Sequence, residues 1–171
     1  MNAPPPNEPQ AGAAAPLSAA AQRVQDALRA AGFANTVHEL TEPVRTAQAA
    51  ADAVGCTAEQ IVKSLVFRGT QSGKPVLVVA SGGHRVDVDK LAALVGEPLG
   101  MGDPRFVREV TGFAIGGIPP VGHAQALDVV VDAHLLTLGA LWAAAGHPNS
   151  LFALTPDELV RMTGGRVAEI A

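Results

Sequence analysis

The chain has 171 residues, 48% of them apolar and only 16% charged, enough length and apolar surface for one domain with a proper core. Its net charge of −4 argues against a nucleic-acid binder held by bulk electrostatics. A lone cysteine, Cys56, excludes an internal disulfide and a multi-thiolate metal site and points to the cytoplasm.

The first twenty residues carry five prolines, one acid and no Lys or Arg. Residues 1–16 are therefore read as a disordered Pro/Ala-rich tail and residues 17–171 as the folded domain. The tail lacks the basic start and continuous apolar core of a secretory signal, and no later stretch offers the roughly 18 apolar residues of a membrane span. Ser18 caps a helix that runs to about Ala31, with Val24, Ala27, Leu28 and Ala31 on one face. A short strand follows over residues 36–40. Thr46 opens an alanine-rich helix ended by Gly55, and Thr57 caps one further turn. The runs Ile61 to Phe67 and Pro75 to Ala80 are β-branched and apolar, which predicts a hairpin turning over residues 69–74.

Asp87 or Asp89 starts a helix through Val95, and Asp103-Pro104 is a cap followed by proline at the first helical position. Leu127 to Val131 is an apolar run broken only by Asp128 and is read as a central strand buried on both faces. A second hairpin is expected over residues 141–154, turning at Gly146-His147-Pro148-Asn149. Thr155-Pro156-Asp157-Glu158 starts a last helix, and a short strand is expected over residues 166–170. Strands and helices are interspersed without a strict βα repeat and without a glycine-rich nucleotide motif. The expected fold class is α/β (α+β): a mixed, partly barrel-like β-sheet surrounded by helices.

Two stretches carry chemistry. Gly116-Gly117-Ile118-Pro119-Pro120-Val121-Gly122-His123 packs three glycines and two prolines between apolar segments. Such a loop has a preset backbone whose free amides suit an oxyanion or a carbonyl; as a bare Gly/Pro cluster it also reads as a connecting turn. Lys63 lies inside Gln60-Ile61-Val62-Lys63-Ser64-Leu65-Val66-Phe67, where a charge is costly. It either snorkels from a strand end or projects into a cavity to hold an anionic group.

The remaining polar residues read more plainly. The five histidines show no HxH or HExxH spacing, so no metal site is expected. Cys56 reads as a packing residue, His84 and Arg85 as a solvated loop, and Asp128 and Asp132 as capping or pairing groups. His123 is either idle in its loop or close to the reacting group, where it could shuttle a proton near neutral pH.

The lysine block and the glycine-proline loop, in this order and together with Thr46-Ala47-Gln48-Ala49-Ala50 and the Val129 to Asp132 strand end, resemble the YbaK-type and prolyl-tRNA-synthetase-associated editing domains over residues 36–170. That family consists of aminoacyl-tRNA deacylases. The resemblance implies that Lys63 holds the 3′-terminal adenosine or its phosphate, and that Gly116 acts at the scissile ester. Gly117, Ile118, Pro119, Pro120 and His123 would bind the aminoacyl end. It implies a cytoplasmic trans-editing deacylase of mischarged tRNA, in particular tRNA-Pro carrying Ala, Cys or Ser, with prolyl-tRNA synthetase as a candidate partner and no metal or cofactor. The rival is a non-catalytic module of the same fold that binds tRNA ends or a synthetase.

Overall fold

The computed structural model describes residues 16–42 and 44–171; apart from Pro16, the tail expected at 1–16 lies outside them. The caps read from the sequence are in place. Ser18 Oγ accepts from the Ala21 amide at 3.2 Å and opens α1 (Ala19–Ala30). Thr46 opens α2 (Ala47–Val54), Asp87 opens α3 (Val88–Val95), Asp103 opens α4 (Pro104–Thr111) and Thr155 opens α5 (Pro156–Thr163). On α1 the buried face includes Gln25 while Ala31 is exposed. Gln25 is tolerated inside because both ends of its amide are hydrogen-bonded: it donates to the Asn35 carbonyl and accepts from the Val37 amide.

The strands are β1 (Val37–Glu39), β2 (Ile61–Gly69), β3 (Pro75–Ser81), β4 (Leu99–Met101), β5 (Asp128–Asp132), β6 (Leu141–Ala144), β7 (Ser150–Leu154) and β8 (Arg166–Ala168). They form one mixed sheet in the order β1-β7-β6-β2-β3-β5-β8, with β4 paired to β2 off this path. Both expected hairpins are present, β2 with β3 and β6 with β7, each antiparallel. The path is open. β5 is interior but not central: it lies between β3 and β8 and runs parallel to both, which accounts for its three successive valines, Val129 to Val131.

Both sheet faces are covered. Val24 and Leu28 of α1, Phe106 of α4 and Leu159 of α5 pack with Val62, Leu77 and Val79 in the largest cluster. Leu91 of α3 packs with Phe67, Val78 and Val130, and Ala51 and Val54 of α2 pack with Ile61 and Trp142. Each fully buried large aliphatic side chain contributes about 1.5–3 kcal/mol relative to exposure. What positions the site is the start of β2, where Ile61 and Val62 pair in parallel with Trp142 and Ala143 of β6. Among the described residues no helix is long and apolar enough to cross a membrane.

Candidate functional site

Lys63 is the third residue of β2, opposite Ala80 of β3. The period of two puts it on the same face as Leu65 and Phe67, which pack with the cluster under α3. Lys63 itself is half-buried. Its Nζ donates to the main-chain carbonyl of His84. Burial pulls the ammonium below the ordinary lysine range, and the Asp132 carboxylate offsets part of that. Lys63 is therefore a cation held at the wall of a cavity, combining features of both sequence readings.

The glycine-proline loop is pinned at several points. The Gly117 amide donates to the Ala114 carbonyl at 3.1 Å, and the Gly117 carbonyl accepts from the Gly146 amide at 2.8 Å. A Cβ on Gly117 would stand 2.7 Å from the Gly146 carbonyl carbon, so only glycine lets these two backbones cross. Ile118 and Val121 are buried in the largest core cluster. His123 Nε2–H donates to the Pro119 carbonyl at 2.6 Å, and burial holds the imidazole below its ordinary pKa. Gly116 remains exposed with φ +92°. Among the described residues, the Gly116 and Ile118 amides donate to no protein acceptor.

Lys63 and the loop meet. A cavity of about 680 Å³ is walled by β2, the start of α2, the loop and the β6–β7 turn, with Lys63, Gly116 and Ile118 in its lining. That size falls within the range of about 300–1,000 Å³ usual for small-molecule sites. Most of the wall is apolar, with Ala47, Ala50, Ile61 and Leu151 among the contributors; Lys63, Ser64, Thr46, Arg45 and His147 supply polar groups. Thr46 Oγ1 accepts from the Ala49 amide at 3.0 Å, so the positive end of α2 opens on the same space.

The other expected site residues are placed elsewhere. Pro120 and His123 line a separate depression with Gln125 and Met162. Pro119 is buried and presents its carbonyl to His123, while Gly117 faces Gly146. Sequence reading missed His147 and Pro148, which enter the cavity from the β6–β7 turn; the Gly-His-Pro-Asn signal located the turn but not what it would face. Cys56 has its thiol pushed up by burial, as suits a packing residue rather than a nucleophile. Among the described residues, no group of three or more His, Cys, Asp or Glu is arranged to hold a metal ion.

Residues 41–162 match the family model described as "Aminoacyl-tRNA editing domain". The chain is 35% identical over 133 residues to the uncharacterized protein YwhH of Bacillus subtilis, covering 78% of this chain and 84% of that one. It is 28% identical over 126 residues to EbsC of Enterococcus faecalis, named as a candidate Cys-tRNA(Pro)/Cys-tRNA(Cys) deacylase, covering 73% and 76%. A crystal structure described as that of a candidate trans-editing enzyme for prolyl-tRNA synthetase superposes with a TM-score of 0.87 at 49% identity, covering 91% of this chain and 98% of that one.

Proposed function

The chain belongs to the aminoacyl-tRNA editing domain family, and on that premise we propose that it hydrolyses the ester of mischarged tRNA in trans, on tRNA-Pro carrying Ala, Cys or Ser. The observation that carries this reading is the shared cavity of Lys63 and Gly116. Lys63 supplies a fixed positive charge for the phosphate or ribose of the terminal adenosine. The Gly116 and Ile118 amides, without a protein acceptor among the described residues, suit the ester oxygen.

An ester needs an oriented water and a stabilised oxyanion more than a protein nucleophile. Water oxygen bonds to the carbonyl carbon and negative charge gathers on the carbonyl oxygen beside the amides. The carbon–oxygen bond to ribose then breaks, and the ribose oxygen takes up the proton given up by the attacking water while the free amino acid leaves. The apolar wall favours a small side chain. Discrimination of this kind is needed because a synthetase pocket separates amino acids differing by one methylene by only about 1–3 kcal/mol.

The net charge of −4 supports weak binding to bare tRNA, so the proposal includes help from a partner, prolyl-tRNA synthetase, in the cytoplasm. The test is a panel of mischarged tRNAs, with and without that synthetase, followed by loss of esterified label. Hydrolysis of Ala-, Cys- or Ser-tRNA-Pro above the other members is expected. Binding without hydrolysis at enzyme excess would leave the non-catalytic module as the reading.

A further inference from the structure

The acceptor on which Lys63 rests belongs to a turn that is itself tied to a buried carboxylate. Asp132, at the end of β5, is only 2% exposed. Its Oδ2 accepts from the Ser81 amide at 3.2 Å and from His84 Nδ1–H at 2.9 Å; its Oδ1 accepts from the His134 amide at 3.0 Å. The Ser81–His84 turn is closed by the His84 amide donating to the Ser81 carbonyl at 3.0 Å.

The near end of the turn is fixed on the start of β2. Ser81 Oγ donates to the Glu59 carbonyl at 2.7 Å, and the Gly82 amide donates to the Ile61 carbonyl at 2.6 Å. A Cβ on Gly82 would stand 2.5 Å from the Ala58 carbonyl oxygen. The far end is His84, and its ring is the tether: Nδ1 is bound to Asp132, and one ring face stacks on His134 with centroids 4.3 Å apart. His134 Nε2 in turn stands 3.5 Å from Glu59 Oε1.

We infer that the His84 side chain is a positioning residue for Lys63: by binding Asp132 it fixes the carbonyl that holds the ammonium of Lys63, a residue of the cavity wall. The value of that placement for hydrolysis rests on the function proposed above; the placement itself does not. Releasing the ring leaves the carbonyl free to turn about the end of the loop, and a lysine with four rotatable side-chain bonds then spreads over several rotamers.

The test uses the full chain labelled with ¹³C at lysine Cε. It has three lysines, Lys63, Lys74 and Lys90, and the Lys63 signal is assigned by its loss in Lys63→Arg. In His84→Ala the Lys63 signal should move toward the exposed-lysine position while the other two stay. In His84→Asn, whose amide nitrogen stands near the place of Nδ1, it should stay. In single-turnover deacylation, His84→Ala should lose about tenfold in rate, His84→Asn should stay within about twofold, and His84→Ala should add no loss in a Lys63→Ala background.

An unmoved Lys63 signal in folded His84→Ala overturns the inference. So does equal movement in the Ala and Asn variants, or additive loss with Lys63→Ala. If His84→Ala does not fold, His84→Gln replaces it, since its amide lies farther out than Nδ1. If the wild type hydrolyses no member of the panel, the proposed function falls while the lysine signal still decides the placement.

Discussion

The two walls of the cavity are built by different physics. On the lysine side, a charged group is held through a carbonyl, an imidazole and a buried carboxylate, contributed by β2, the loop after β3, and β5. On the loop side, Gly116 to Pro120 are held by backbone hydrogen bonds and by a crossing with Gly146 that leaves no room for a Cβ. The first wall rests chiefly on a chain of polar and charged hydrogen bonds. The second rests chiefly on the close crossing of two backbones.

The largest expected effect is that of Lys63→Ala. Removing the cation should lower single-turnover deacylation by about 100- to 1,000-fold, the scale for losing one preorganised charge-stabilising group, with the thermal midpoint almost unchanged. A fall in stability parallel to the fall in rate would make the lysine a structural element and erase the contrast between the walls. Gly117→Ala comes next and should do the opposite. Its new Cβ falls 2.7 Å from Gly146, so a loss of about 1–3 kcal/mol in denaturant unfolding is expected, with the rate falling as the loop shifts. Wild-type stability would show that the two backbones can separate freely.

The smallest effect is that of His123→Gln, which keeps a donor for the Pro119 carbonyl and removes the titration. Burial holds His123 below its ordinary pKa, so as pH falls through about 6.5 the unfolded chain takes up a proton that the folded chain refuses. Stability from this group is present above that pH and declines below it. Between pH 7 and pH 5 the wild-type melting temperature should therefore fall more than that of His123→Gln, while deacylation at pH 7.5 stays within about twofold. Parallel melting curves would show that burial of His123 does not make the loop's stability depend on pH.

Much of this was legible in the chain because it is local. Ser18, Thr46, Asp103-Pro104 and Thr155-Pro156 cap their own helices, and the two hairpins join neighbours in sequence. The three-residue strand Leu99–Met101 was missed, since it contains a glycine and exists through its pairing with Phe67, Arg68 and Gly69. Ala133–Thr137 likewise forms a 3-10 turn that apolar spacing did not announce; Asp132 caps it. In the site, Lys63 and Gly116 stood out by composition. The tie between His84 and Asp132 spans 48 residues, and no local pattern encodes it. Asp132 does cap and pair, as its position at a strand end suggests, but the identity of its partner emerges only from the sheet order.

The parallel pairing of Ile61 and Val62 with Trp142 and Ala143 also has a kinetic consequence. One wall of the cavity is written near residue 60 and another near residue 147, so closing it requires a loop of about eighty residues to form first. β2 and β3 are able to zip early as a hairpin. The pocket itself needs that non-local step, and a nascent chain halted before β6 has the lysine, the start of α2 and the glycine loop but lacks His147 and Pro148, which complete the wall.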